Sequence, residues 1–303
     1  MLGSVWRRRP VWLGVGLLVC GVPWFFVHLP HSWRSPLLLA LWDLGHILFF
    51  LLIALWVQKR YHLQSFRAWL LVILAALAVG GSIELIQGMI GRNASWGDVA
   101  RNLTGVWLGL AWGVGRARWH RLLSAVALAV LCGPAAMLIA DRLAAAREFP
   151  LLADFSRPAS LNYWWGEVAL AVSPDRPVGD TALQVQLDTR GYSGFYFEHF
   201  PADWRGYRWL TFDLYHPGDQ PLPMVLRLHD AWHYRSGLAY GDRFNRRFLV
   251  EPGWNNYRFD LQQVMQAPKD RPMDMARMET LGIFTMNLPQ PLLLHFDNLR
   301  LEN

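Results

Sequence analysis

The sequence predicts two parts of different class: an α-helical membrane bundle of about five transmembrane helices, then an all-β extracytoplasmic jelly-roll sandwich. Three observations predict it. Apolar runs of membrane-crossing length fill the first half, basic clusters stand in alternate gaps between them, and short runs of alternating apolar and polar residues replace them after about Phe149. A chain of 303 residues that is 53% hydrophobic and 17% charged is too apolar for one ordinary soluble domain and long enough for two. The expected division is 1–147 for the membrane part and 148–303 for the sandwich.

The apolar runs are Val11 to Leu29, Leu37 to Val57, Phe66 to Ile90, Asp98 to Val114 and Leu122 to Ala140. Each is close to the ~20 residues a helix needs to cross hydrocarbon. Arg7, Arg8 and Arg9 precede the first, Lys59, Arg60 and Arg67 flank the second gap, and Arg116, Arg118 and Arg121 the fourth. Positive charge collects on the cytoplasmic side, so the N-terminus is expected inside and everything after about Asp141 outside. Orientation accounts for the formal charge of +6, and nucleic acid is not an expected partner. The arginine-led first run also resembles a secretory signal. It lacks a small-x-small cleavage site, and Val19 in "LLVCG" stands where a lipoprotein box has a small residue, so the run is read as an uncleaved span. Cys20 and Cys132 lie inside apolar runs, away from disulfide or zinc spacings.

On this topology Asp43 and His46, Glu84 and Gln87, and Asp98 and Asn102 fall in the outer leaflet of the second, third and fourth spans. Spacings of i, i+3 and i, i+4 put each pair on one helix face, so three polar faces are expected to meet in one outward-opening cleft. Arg92, in the short connection from third to fourth span, is placed to cap the cleft and pair with an anion. Glu84 or Asp98 would serve as acid or base, His46 as proton partner beside Asp43, and Gln87, Arg92 and Asn102 as binding groups. Against this stands a structural reading: interhelical hydrogen bonds from Gln87 and Asn102, a helix cap from Asp98, and glycines 80, 81, 105 and 109 as packing positions.

The order Asp43 and His46, Glu84-x-x-Gln87, Arg92, then Asp98-x-x-x-Asn102-x-x-Gly105 resembles the VanZ-like family of bacterial membrane proteins over roughly Trp12 to Gly115. The resemblance implies a multi-pass protein of the bacterial inner (cytoplasmic) membrane and a cell-envelope role, the name-giving member being linked to glycopeptide resistance; it implies no settled reaction. Many members carry a lysine beside the second-span aspartate, where this chain reads "WDLGH" with Leu44. The fifth run has no counterpart in short members and reads as the tether to the second half.

In that half Leu183, Val185 and Leu187 interleave with Gln184, Gln186 and Asp188, and Leu210, Phe212 and Leu214 with Thr211, Asp213 and Tyr215. Period two marks half-buried strands. "MVLRLHD", "RRFLV", "NNYRFDL", "LGIFTMNL" and "LLLHFDNLRLE" are further strands, separated by turns such as "HPGDQP" and "EPGW". Many short strands predict an antiparallel jelly roll. "LADFS", "YRWLTFDLYHPGD", "PGWNNYRFDL" and "LHFDNLRLE" resemble galactose-binding-like sandwiches and the carbohydrate-binding modules built on them. That resemblance implies a structural calcium at Asp154 and Asp297, although two carboxylates alone do not define such a site, and no other cofactor is expected.

Trp164, Trp165, Tyr192, Tyr196, Trp204, Tyr207, Trp232, Tyr234 and Trp254 are either core residues or platforms for a sugar ring. The loop "HDAWHYRSG" stands apart because it packs polar and aromatic groups together after a strand, which makes Asp230, Trp232, His233 and Tyr234 its binding candidates. The expected partners are a membrane lipid or lipid-linked glycan in the cleft and a cell-surface polysaccharide on the sandwich. The alternatives are a non-enzymatic receptor or scaffold and, ranked last for want of an internal repeat, a transporter.

Overall fold

A computed structural model describes residues 12, 14–27, 35–90, 95–114, 118–177 and 180–303. They divide into two compact units, Met1–Leu138 and Ile139–Asn303.

In the first unit residues 14–21 are helical and run into a short 3-10 turn, Val22–Phe26, followed by α1 (Pro36–Tyr61), α2 (Phe66–Met89), α3 (Trp96–Val114) and α4 (Arg118–Glu148), which continues into the second unit. Local chemistry sets the ends. Ser35 caps α1 by accepting Leu38 N–H at 3.3 Å with Pro36 in the first turn, and Ser65 caps α2 by accepting Ala68 N–H at 3.2 Å. Between them the Leu63 carbonyl accepts from Gln58 Nε2 at 3.0 Å and Trp69 Nε1 at 3.1 Å, which pins the turn.

Among the described residues three helices are long and apolar enough to cross a membrane: Pro36–Tyr61, Phe66–Met89 and Leu122–Glu148. At most 22% of each apolar window is buried inside the protein, so most of this apolar surface requires an apolar surrounding to be stable. The expected fourth span, α3, is 19 residues long and stays outside that class because Asp98, Arg101 and Asn102 crowd its first half. Phe25, Phe50, Ala54, Ala76, Ile83, Val106 and Leu110 form the core of the unit.

Two glycines fix how α3 meets α1. A Cβ on Gly105 would stand 2.4 Å from the Ile47 carbonyl oxygen, and one on Gly109 would stand 2.6 Å from Ala54 Cβ and 2.7 Å from the Leu51 carbonyl oxygen. Only hydrogen fits there, so the helices approach backbone to backbone. Gly80 has a similar use, since a Cβ there would lie 2.8 Å from Asn102 Nδ2, whereas a Cβ on Gly81 would meet nothing within 4 Å among the described residues.

The second unit is an antiparallel sandwich. Its strands are β1 (Leu151–Ala153), β2 (Trp164–Trp165), β3 (Val168–Val172), β4 (Thr181–Leu187), β5 (Tyr192–Glu198), β6 (Trp209–His216), β7 (Leu222–Asp230), β8 (Phe244–Val250), β9 (Gly253–Asp260), β10 (Met278–Met286) and β11 (Leu292–Glu302), with a short helix α5 (Leu261–Met265). One sheet runs β3-β4-β11-β6-β9 with β1 also on β11, and the other runs β2-β5-β10-β7-β8. Strands β4 to β7 alternate between the sheets, the connection pattern of a jelly roll. Period two holds where it was expected: Leu183, Val185, Leu187, Leu210, Phe212 and Leu214 are fully buried between the sheets. Thr211 is buried too, its hydroxyl bonded to Glu302 at 3.3 Å.

Candidate functional site

In the helical unit α1 supplies Asp43 and His46, α2 supplies Glu84 and Gln87, and α3 supplies Asp98, Arg101 and Asn102. His46 Nε2 lies 3.8 Å from Asp98 Oδ2, and one ligand atom each from His46, Glu84 and Asp98 falls within 4.8 Å of the others. His46 Nδ1 meets Asn102 Oδ1 at 3.0 Å. Glu84 Oε2 accepts the Ser95 N–H at 2.7 Å, and Gln87 Nε2 donates to the Phe25 carbonyl at 2.7 Å. Arg101 pairs with Asp98 and lies 3.4 Å from Asp43 Oδ2, tying α1 to α3. His46, Glu84, Gln87 and Asn102 are all buried, in a unit whose other surfaces are largely apolar. Polar and ionisable groups held away from water need partners, and here they take them from neighbouring helices.

Of the groups expected in the cleft, His46, Glu84 and Asp98 gather, Asn102 bonds His46, Asp43 joins through Arg101, Gln87 turns to the Phe25 carbonyl, and Arg92 lies outside the described residues. Asp98 sits in the first turn of α3, where its N–H and that of Val99 bond to the Ser95 carbonyl, so it is not the cap. Arg101 is not among the residues expected in the cleft. Its signal was an arginine at i+3 from Asp98 inside an expected span, a position costly enough to demand a partner. Beside the polar set lies an apolar groove of about 790 Å³ whose lining includes Leu17, Phe25, Leu41, Trp42, Gly45 and Phe49. Phe25 belongs to both, with its ring edge-on to His46 at 4.7 Å.

In the sandwich, the loop after β7 turns inward. Asp230 and His233 are fully buried, Tyr234 is half-buried, and Trp232 is 40% exposed beneath the Arg235 guanidinium. Arg271 bridges Asp230 and Asp242, donating to Asp230 Oδ1 at 2.8 Å and to Asp242 Oδ1 at 2.7 Å. The Asp274 N–H donates to Asp230 at 2.6 Å, and Ser236 and His233 complete the network on Asp242. Polar and aromatic residues here build a folded knot, a use that their mixture in sequence did not separate from ligand binding.

The knot is sensitive to acid. Burial first, then the charge of His233, pushes His229 down to about 3 from 6.5, and burial also lowers His233. The unfolded chain takes up a proton on His229 below pH 6.5 that the folded chain refuses until about 3, so stability falls as pH falls through that window. Between about pH 7 and pH 4 this histidine alone should remove about 3 kcal/mol from the sandwich. Hydrogen exchange of the strand peptides of the full chain against denaturant should show that loss, and His229→Gln should flatten it.

The outer face of the second sheet carries a different set. Trp165 pairs with Tyr196, Tyr196 with Gly282, Gly282 with Arg227 and Arg227 with Asn245, a row across all its strands. The row faces away from the core, since the alternate residues Phe195, Phe197, Ile283, Leu226 and Leu228 point in. Tyr196 lies over Gly282, where a Cβ would stand 2.5 Å from its ring, and Trp165 is 51% exposed. Burial and the neighbouring Arg243 lower the pKa of Arg227, whose Nε makes no hydrogen bond. Tyr234 meets Thr280 at 3.4 Å at one end of the face. The candidate aromatics thus divide: Trp164 and Trp204 are core, and Trp165, Tyr192 and Trp232 are surface.

Asp154 accepts from Ser156 N at 3.1 Å and Ser156 Oγ at 2.8 Å. Asp297 is buried against Arg176 Nη1 at 2.8 Å and accepts Asn298 N–H at 2.8 Å. Burial pushes its carboxyl up to about 6 against the pull of that guanidinium.

No protein-family model matches the chain, and no curated protein matches it. Among solved structures, half of the chain is similar to an exo-β-agarase (14% identity, TM-score 0.39, 50% of this chain and 24% of that one). It is also similar to a family 11 carbohydrate-binding module from Clostridium thermocellum in complex with a β-1,3-1,4-mixed-linked tetrasaccharide (14% identity, TM-score 0.37, 50% and 94%). A third similarity is to a carbohydrate-binding module specific for non-crystalline cellulose (12% identity, TM-score 0.34, 51% and 93%). The chain spans about a quarter of the agarase, and at these scores no residue role passes to it.

Proposed function

We propose that this chain is a multi-pass protein of a bacterial inner membrane whose helical unit binds, and by acid-base chemistry on Glu84, Asp98 and His46 modifies, the polar head of a membrane lipid or lipid-linked glycan. The sandwich, on the extracytoplasmic side, holds a polysaccharide. One observation carries the reading: ligand atoms of His46, Glu84 and Asp98, one each and on three helices, gather within 4.8 Å, and two of those helices are long and apolar enough to cross a membrane. Buried ionisable groups in such helices are costly, and a substrate site is the usual reason to keep them. The groove that shares Phe25 with this set suits an acyl chain, which would leave a head group beside His46. The VanZ-like resemblance belongs to this proposal and rests on the same residues.

For the sandwich, an exposed indole at Trp165 and the Tyr196 ring offer apolar faces to a sugar, with Arg227 and Asn245 in the same row to bond hydroxyls or an acidic group. A calcium at Asp154 and Asp297 would compete with the Arg176 guanidinium that already pairs with Asp297. The second reading, a scaffold without chemistry, is favoured by the bonds His46–Asn102 and Gln87–Phe25, which tie separate elements of the helical unit together without any ligand.

The test is a mass-spectrometric inventory of lipids and glycolipids retained by the detergent-purified full chain, beside Asp98→Asn and Arg101→Gln. The expected result is one lipid class enriched several-fold over the surrounding membrane and reduced to bulk proportion in both variants. Bulk composition in the wild type, with the bundle intact, would leave the scaffold.

A further inference from the structure

We propose that His46, Glu84 and Asp98 bind a divalent transition-metal ion, zinc or manganese, through one nitrogen and two carboxylates. This inference goes beyond the head-group reading and stands without it. Each residue offers one ligand atom from a different helix, and these atoms lie within 4.8 Å of one another. A tetrahedral ion with bonds of about 2.0–2.2 Å sets its ligands roughly 3.3–3.6 Å apart. The His46 Nε2 to Asp98 Oδ2 separation of 3.8 Å is already close to that edge, and small side-chain rotations close the rest.

The hydrogen bonds around the cluster prepare it. Asn102 is fully buried and presents its amide oxygen, an acceptor, to His46 Nδ1 at 3.0 Å. With Nδ1 engaged by Asn102, Nε2 is the ring nitrogen left to face the Asp98 carboxylate, at 3.8 Å from Oδ2. A nitrogen and a carboxylate oxygen at this separation are the atom types and spacing that a bound cation bridges. An imidazole that donates its second N–H to a fixed oxygen is the arrangement that orients metal-bound histidines and raises their basicity. The carboxylates are held likewise: Ser95 N–H orients Glu84 Oε2 at 2.7 Å, and Arg101 holds Asp98 Oδ1 while Oδ2 points to His46. Gly80 keeps the space for the Asn102 amide. One nitrogen with two carboxylate oxygens suits zinc or manganese better than a thiolate-loving ion, and three protein ligands leave positions for water or a substrate oxygen.

The experiment loads the detergent-purified full chain with zinc or manganese, removes free ion, and measures metal by mass spectrometry and the zinc environment by X-ray absorption. The expected result is about one equivalent per chain, with a first shell of nitrogen and oxygen at about 2.0–2.2 Å. Metal content should fall at least tenfold in His46→Ala and Asp98→Asn, and persist in Asp154→Ala. Asn102→Ala should keep the stoichiometry and weaken affinity about 10–100-fold. A wild type that retains neither ion would overturn the assignment, as would a zinc shell containing sulfur from Cys20 or Cys132. The absorption spectrum needs only the wild type, so a variant that fails to fold does not shelter the proposal. Because metal content is read without any lipid, its failure and the failure of the head-group reading are separate results.

Discussion

Arg271→Ala is expected to destabilise the sandwich by about 3 kcal/mol, the lower end of the cost of stripping one partner from a buried ion pair. Asp230 is fully buried and meets the guanidinium with both oxygens, so the variant leaves a carboxylate sealed from water with only the N–H groups of Trp232 and Asp274 to bond it. Asp242, held down to about 2 chiefly by Arg271, would return toward 3.8. Exchange-monitored denaturation of the full chain should show the sandwich peptides opening at lower denaturant and those of the helical unit unchanged. Adding Asp230→Asn to Arg271→Ala should recover part of the loss, because the uncompensated charge, more than the missing contact, carries the cost. If the single variant costs less than about 0.5 kcal/mol, the knot is surface decoration.

Gly105→Leu should separate α1 from α3 and abolish the polar cluster with them. Even a methyl group there would press on the Ile47 carbonyl at 2.4 Å and the Leu51 nitrogen at 2.9 Å, backbone atoms that cannot rotate aside. Gly105→Ala alone should cost about 1–3 kcal/mol, and the leucine more. Gly81→Ala, with nothing within 4 Å, should be neutral or stabilise by up to about 1 kcal/mol. Thermal aggregation of the detergent-purified variants separates the two cases. Equal behaviour of Gly105→Ala and Gly81→Ala would mean that the close helix contact does not form.

Helix periodicity made the cluster legible, because pairs at i, i+3 and i, i+4 can only lie on one face, and costly groups on several faces must meet. The same logic reaches Asp98 and Asn102 and does not reach Arg101 between them, whose closest partner, Asp98, lies three residues back on its own helix. Strands with strict alternation, such as Thr181–Leu187 and Trp209–His216, were plain in the sequence, whereas β5 escaped because Gly194 and Ser193 break its apolar pattern. The loop after β7 shows a limit of composition: Asp230, His233 and Tyr234 look like binding groups until Arg271, 41 residues after Asp230, closes the network. Nothing local announces a partner so far along the chain. The row Trp165–Tyr196–Gly282–Arg227 depended on register between strands that sequence does not give.

The measurement that bears most directly on the account is a double-mutant cycle on the full chain, His46→Ala against Glu84→Gln, read as unfolding free energy in detergent. These residues stand on different helices and communicate only if their side chains share one site. A coupling of about 1 kcal/mol or more is predicted, because each variant removes a group the other's site was built around. Additivity within about 0.3 kcal/mol would contradict the gathering of these groups, and the binding and metal assignments would fall with it.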